Sequence, residues 1–379
     1  MAFARLLDSA PSHVERATDL QRMLDLDTQL GWQIFRLASA TEPFSPVQFI
    51  PGPGSVTRVL RLAKERGFHP SAVEEAEQIH CDFLRLVAEH AGDRETFDAM
   101  IAGLNRGSSS LIDTKLRRNT FRMNVQIWGA MAKVRYDCVI YSLTEQPGVE
   151  RCAVLGGFLG LRRLREIPAI PVMKHARIVR YPDSHGDWKD QPGTAWEKFS
   201  LINEFCSTPL PDIQTVVEDD TSSEMLQLEG IGKTAEATCF AYNGLPATPP
   251  QAAFTEWGTL KTTTVPVEVQ IIDLLVPRGL ADLSSLRATT FGKLGDARAP
   301  ACLATRRAGF EMPIREPAQH LGVNIDGLHD RDLPCCADMV RHVLNALQLE
   351  KTEFDIFRCR VSYPILSTAV ELRVDAAKK

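Results

Sequence analysis

The apolar positions of this chain change their period along its length. Two short amphipathic runs, Thr18–Leu24 and Thr28–Ser39, lie on either side of Asp25-Leu26-Asp27. In the second run Leu30, Ile34 and Leu37 recur on one helical face, and Gln29, Gln33 and Arg36 recur on another. The segment PFSPVQFIPGPGS has four prolines and two glycines and predicts a loop. A helix capped by Ser55 is expected to run to about Arg66 and stop at Gly67. Another spans Ser71 to His90, with Val73, Ala76, Ile79, Phe83 and Val87 on one side. The longest periodic signal covers Asp113 to Leu143. There Phe121, Val125, Trp128, Ala132, Tyr136, Val139 and Leu143 are spaced 4, 3, 4, 4, 3 and 4 residues apart. This spacing predicts one helix of about 30 residues, roughly 45 Å long at 1.5 Å per residue. Such a helix needs a broad apolar surface, either as the spine of its own domain or as the seam of a homodimer. Both uses require Trp128 and Tyr136 to be largely buried.

Beyond Pro168 the pattern shortens to β-branched runs bounded by prolines. Ala176–Tyr181, Ile213–Val217, Ala235–Tyr242, Thr259–Val265 and Val267–Val276 read as strands. Pro334–Leu347 reads as a helix, and Phe357–Tyr363 and Ala369–Val374 as two closing strands bent at Pro364. The expected fold class is therefore α+β. An all-α N-terminal half with a helix-turn-helix-like hairpin and a long helix precedes a β-rich α+β C-terminal half. The expected domains are residues 1–108 (helical, with the hairpin), 109–168 (long helix and connector) and 169–379 (β-rich, binding a ligand or partner).

Composition narrows the function classes more than it selects one. With 44% hydrophobic and 24% charged residues among 379, the chain is neither disordered nor fibrous. No run approaches the ~20 apolar residues of a membrane span, and the first residues do not have the plan of a secretory signal. Nine cysteines without framework spacing point to a reducing compartment, so a cytoplasmic location is expected. The net charge of −5 conceals a gradient. Residues 1–182 hold 24 Lys and Arg against 20 Asp and Glu, and the remainder holds 19 against 28. Arg162 to Arg180 has six cations against Glu166 alone. Between Asp183 and Gly258, thirteen acids, Glu218-Asp219-Asp220 among them, face three lysines. A basic half before an acidic half fits either a polyanion-binding N-terminal part or mutual neutralisation across a contact.

The segment ATDLQRMLDLDTQLGWQIFRLAS carries the clearest candidate chemistry. Helix, three-residue turn and helix is the plan of a helix-turn-helix reader. Leu20, Leu24, Leu26, Leu30 and Ile34 would form its small core and Asp27 would cap the second helix. Thr28, Gln29, Gln33 and Arg36 would face the bases, since Gln pairs bidentately with adenine and Arg with guanine. Two departures from the usual pattern are Asp25 at a turn position commonly held by Gly, and an apolar position at Leu30 rather than Gly31. A plain structural hairpin would bury the same leucines. Catalytic and cofactor motifs are missing. There is no G-x-S-x-G, Walker A or strand-borne G-x-G-x-x-G, and GIGK is too short to count. Gly156, Gly157 and Gly160 lie in an apolar run suited to close helix packing. The loop HLGVNIDGLHDRD gathers His320, Asp326, His329, Asp330 and Asp332 without a recognised ligand spacing, so no metal or other cofactor is expected.

Several strings, among them LDLDTQLGWQIFRLAS, QFIPGPGSVTRVLRLAKERG, FRMNVQIWGAMAKVRYD, GFLGLRRLREIPAIPV and FDIFRCRVSYPILSTAVELRV, resemble a bacterial protein family of about this length. Its N-terminal segment is similar to transcription-factor helix-turn-helices. The resemblance covers most of the chain, implies that both halves form one evolved unit, and carries no catalytic residue across. The reading that follows is a DNA-binding transcriptional regulator. Its expected partners are double-stranded DNA and a small-molecule or protein effector, with dimerisation through the 113–143 helix and no membrane. A scaffold or assembly protein that does not bind DNA is the alternative, and an enzyme with its site in the C-terminal half is the third reading.

Overall fold

The structure is a computed structural model. It describes residues 2–40, 47–104, 111–143, 150–167, 169–176, 178–182, 188–192, 200–218, 221–228, 230–232, 236–244, 256–292 and 310–377. The chain divides into two compact units, Met1–Asp113 and Thr114–Lys379.

The first unit is helical: α1 (Ala2–Asp8), α2 (Ala17–Leu24), α3 (Thr28–Ala38), α4 (Pro53–Glu65), α5 (Pro70–His90) and α6 (Arg94–Leu104). Pro53 and Pro70 open their helices, where the missing N–H costs nothing and the fixed φ is already helical. The core joins Leu6, Leu20, Leu24, Leu30, Ile34, Val56, Val59, Ala63, Phe68, Val73 and Ala76. Each fully buried aliphatic side chain contributes about 1.5–3 kcal/mol. Val47, Val87 and Phe97 form a smaller cluster.

The second unit starts with α7 (Leu111–Trp128) and then turns to strands. These are β1 (Ala130–Leu143), β2 (Glu150–Arg163), β3 (Ile170–Ala176), β4 (Ile178–Pro182), β5 (Trp188–Pro192), β6 (Ser200–Leu201), β7 (Asp212–Glu218) and β8 (Thr221–Gln227). There follow β9 (Ala237–Gly244), β10 (Glu256–Thr262), β11 (Val267–Pro277), β12 (Ala281–Phe291), β13 (Glu311–Arg315) and β14 (Ala318–Gly322). Helix α8 (Cys336–Ala346), β15 (Phe354–Ser362) and β16 (Ala369–Ala376) complete the unit. Seven strands form one mixed sheet in the order β14-β15-β11-β1-β2-β9-β6, in which β1 and β11 run parallel. A four-stranded sheet, β10-β16-β12-β13, a three-stranded one, β3-β8-β7, and the hairpin β4-β5 accompany it.

The large sheet is covered on both faces. Tyr136, Cys138 and Ile140 pack with Ile271, Leu275 and Ile356 under α8, through Met339, Val340, Val343 and Leu344. On the opposite face Val139, Ile272, Leu274, Val276, Phe357 and Val361 meet Trp257, Val370, Leu372 and Val374 of the four-stranded sheet.

The expected split into an all-α half with a long helix and a β-rich half is overturned here. The N-terminal half is not all-α, and the helix expected over 113–143 is an 18-residue helix followed by a 14-residue strand. Gly129, at φ +69, ends α7 with its N–H bonded to the Val125 carbonyl at 2.9 Å, and β1 begins at the next residue. A strand buried on both faces has no polar alternation. The apolar run of β1 therefore continued the helical spacing by coincidence. Tyr136 is fully buried as expected, but in the sheet, whereas Trp128 is 52% exposed. A homodimer seam along a 113–143 helix has no such helix to follow. The glycines of AVLGGFLG also belong to a strand, β2. A side chain on Gly157 would overlap the Cys239 carbonyl and Phe240 of β9, and Gly160, at φ +66, sits where the β2–β9 register shifts.

In the hairpin, Gly31 is buried because α2 lies directly against α3; a Cβ there would overlap the Gln21 side chain, whose amide donates to the Thr28 carbonyl at 3.1 Å. Gly31→Leu is expected to force the two helices apart and lower stability by about 1–3 kcal/mol, as overpacking of a close contact does. Urea denaturation of the full chain, followed by helical ellipticity, measures it.

Candidate nucleic-acid interface

Local chemistry builds the hairpin one residue at a time. The Arg16 N–H donates to the Asp19 carboxylate at 2.9 Å, which ties down the first turn of α2. Asp25 then takes the left-handed conformation, φ 49, that the turn requires. An aspartate adopts it more readily than most residues, so the turn closes without glycine. The Leu26 N–H bonds the Gln21 carbonyl at 3.0 Å and its side chain enters the core. Asp27 caps α3 by accepting from the Leu30 N–H at 2.9 Å.

This geometry turns Leu30, Gly31 and Ile34 inward. Of the four residues assigned to base contact, Thr28, Gln29 and Arg36 are exposed, while Gln33 is half-buried on the flank. The exposed face contains a residue that sequence reasoning passed over. Trp32 lies four residues from both Thr28 and Arg36, is 42% exposed, and meets Phe49 edge-on with ring centroids 5.1 Å apart. The Arg36 guanidinium lies over both rings, 5.6 Å from the Trp32 centroid and 5.8 Å from that of Phe49. The spacing i, i+4, i+8 was the signal that grouped Trp32 with this face.

The unit boundary redistributes the charge. Residues 1–113 hold 11 Lys and Arg against 16 Asp and Glu, a net of −5, so the unit carrying the hairpin is acidic. The basic excess lies in residues 114–182, with 13 cations against 4 acids. Of these, Arg118 and Arg122 are exposed on α7 and Arg165 is exposed beyond β2. Arg117 is buried in an ion pair with Glu316 at 2.7 Å. Arg162 and Arg163 are half-buried, the latter donating to the Gly230 carbonyl at 2.9 Å. Arg177, Asp219 and Asp220 lie outside the described residues, as do 183–187, 193–199 and 245–255 of the acidic stretch.

The second concentration of polar groups is inside the β-rich unit. Asp273 of β11 and Arg358 of β15 are directly opposite in register and pair through two 2.7 Å bonds. The Tyr136 hydroxyl donates to Asp273 at 2.9 Å, and Arg358 also donates to the His329 carbonyl at 3.0 Å. Burial raises the Asp273 carboxyl above its ordinary value while Arg358 pulls it back. Burial lifts the Tyr136 phenol well above its usual range, and the Asp273 charge adds to that. Cys336, fully buried beside Arg358, donates its thiol to the Leu328 carbonyl and is raised by burial. On the opposite face Arg135 pairs with Asp137 through bonds of 2.7 and 3.0 Å and stacks over Phe158. Burial alone would raise Asp137, but Arg135 and Lys261 outweigh it and hold the carboxyl low. These groups satisfy one another, and apart from the half-buried Arg135 and Lys261 they are closed to solvent, as a structural network is.

The loop considered for a cation is committed elsewhere. Asp326 pairs with Arg341, Asp330 and Asp332 with Arg360, and His320 with Asp355 at 3.1 Å. No cluster of three or more possible metal ligands occurs among the described residues. A pocket lined by Arg117, Thr290, Glu316, Val361 and Thr368 has a volume of about 10 Å³, the space of one water. Among the described residues no helix is long and apolar enough to cross a membrane. No protein-family model matches the chain, and no curated protein sequence matches it.

Replacing Arg358 with Met is expected to destabilise the β-rich unit by about 3–5 kcal/mol, because Asp273 is left as an uncompensated buried charge. The double variant Asp273→Leu with Arg358→Met is expected to regain most of that loss. Thermal unfolding of both variants tests it; a single variant as stable as the parent protein defeats the account.

Proposed function

We propose that the chain is a DNA-binding regulator in which α3 reads base edges and the β-rich unit responds to a ligand or partner. The observation that carries the reading is the exposure of Thr28, Gln29 and Arg36 on the side of α3 away from Leu30 and Ile34. Thr28 and Gln29 open the helix, where a recognition helix places its base contacts. Arg36 would have to leave Trp32 and Phe49. The two exposed cation–π contacts together are worth about 1–2 kcal/mol, comparable with the ~1–3 kcal/mol of base discrimination from a bidentate arginine–guanine pair. The resemblance of the N-terminal segment to helix-turn-helices agrees with this reading.

One observation favours a second reading, a scaffold that does not bind DNA. The unit carrying α3 has a net charge of −5, and non-specific DNA affinity comes almost wholly from cations on phosphates. On that reading Trp32, Arg36 and Phe49 form a packed surface feature.

Fluorescence anisotropy of the full chain on bulk duplex DNA at low and high salt separates the two. The regulator is expected to bind at low salt. Its salt dependence is expected to be shallower than the roughly 10³–10⁵-fold loss between about 50 and 200 mM seen with 6–10 phosphate contacts. Gln29→Ala with Arg36→Ala is expected to cost ~1–3 kcal/mol per lost bidentate contact on a selected site, while the helical ellipticity shows the variant still folded. Absence of binding at low salt removes the regulator and leaves the scaffold.

A further inference from the structure

Two thiols outside both polar networks are held side by side. The backbone of residues 202–207 runs along β9. The Ile202 N–H bonds the Phe240 carbonyl at 2.9 Å, and the Ser207 N–H bonds the Thr238 carbonyl at 2.8 Å. The Ser207 hydroxyl closes the same end, accepting from the Thr238 N–H at 3.2 Å and lying 3.3 Å from its carbonyl. Between these two anchors Cys206 lies over the peptide that follows Cys239. Its sulfur is 3.5 Å from both the Phe240 nitrogen and the Phe240 oxygen, on the residue next to Cys239, while Ser207 pairs with Thr238 on the other side of Cys239. Cys206 is partly exposed, Cys239 is buried, and neither is in a disulfide. One sulfur is thus open to a small reagent while the other sits behind it.

We propose that Cys206 and Cys239 form a peroxide-oxidisable dithiol, Cys206 as the sulfur attacked first and Cys239 as the resolving thiol. The chemistry balances with a hydroperoxide as oxidant. The Cys206 thiolate attacks one peroxide oxygen, the O–O bond breaks, and the second oxygen leaves as water after taking a proton. This oxidises Cys206 to a sulfenic acid. The Cys239 sulfur then attacks the Cys206 sulfur, the S–S bond forms and the S–O bond breaks. The departing oxygen takes the Cys239 proton and leaves as water. The net change is two thiols and one hydrogen peroxide giving a disulfide and two waters.

The surroundings suit both steps. The neighbouring Cys239 side chain and the Phe240 N–H lower the Cys206 thiol to about 7 against the opposing effect of burial, which favours the thiolate, the form that attacks. Cys206 and burial both raise Cys239, so it is a thiol when it attacks, and its proton leaves with the departing oxygen. The disulfide would bind the 202–207 segment covalently to β9, next to the sheet edge formed by β6.

The test treats the full-length protein with stoichiometric hydrogen peroxide at neutral pH and maps its peptides without reduction. The expected result is one species joining the Cys206 and Cys239 peptides, two hydrogens lighter than their sum, while the exposed Cys81 remains alkylatable. Cys206→Ser is expected to abolish the link and leave Cys239 reduced. Cys239→Ser, which keeps a hydroxyl donor beside Cys206 but cannot form the disulfide, is expected to leave a Cys206 sulfenic acid that dimedone traps. Thermal midpoints of both variants, measured beforehand, confirm that they are folded. Oxidation of Cys81 ahead of Cys206, a Cys206 disulfide only between two molecules, or no dimedone adduct in folded Cys239→Ser overturns the proposal.

Discussion

The seven-stranded sheet is covered on both faces, so each charge its central strands carry must be neutralised within the fold. Asp273 cannot turn to water, and it is matched by Arg358 across the β11–β15 pair and by the Tyr136 hydroxyl from β1. Asp137, one residue along β1 and therefore on the other face, is matched by Arg135 and approached by Gln270. Alternation along a strand thus assigns the two carboxylates to opposite sides of one layer, and each side supplies its own cation. A one-residue slip of β11 against β15 would part Asp273 from Arg358, which makes register part of the electrostatics.

The same network connects the sheet to the helix above it. Arg358 reaches the His329 carbonyl, and the Cys336 thiol reaches the Leu328 carbonyl, so the loop before α8 is tied to the layer it covers. Arg360 holds Asp330 and Asp332 in the same loop. The residues that looked most like ligands in the sequence are thus the fastenings of a loop. Asp and His close together in sequence have the composition of a cation site, but arginines from β15 and α8 reach the aspartates first.

The helical unit works on a smaller scale. Its hairpin is set by short-range rules, a left-handed aspartate, an aspartate cap and a buried glycine, and these leave one side of α3 outward. Its acidity separates two requirements that a nucleic-acid reader normally combines, base-reading side chains and phosphate-binding cations. The cations are concentrated in residues 114–182 instead.

Much of the first unit was legible in the sequence because its determinants are local. The ends of α2, α3, α4 and α5 fall within a few residues of their expected positions, since caps, prolines and the 3.6-residue period act over single turns. The strands at Val267–Pro277, Phe354–Ser362 and Ala369–Ala376 were also legible from β-branched runs bounded by turns. The β1–β2 pair was not. A strand apolar on both faces has no alternation to read, and only Gly129 and the aromatic and β-branched residues of VRYDCVIY argued against continuing the helix. Neither the exposure of Trp128, the stacking of Arg36, the Asp273–Arg358 pair nor the contact of Cys206 with Cys239 follows from spacing. The partners in each are apart in the chain, or their surroundings are built by other elements, so only the register and packing of the folded chain decide which side chains meet.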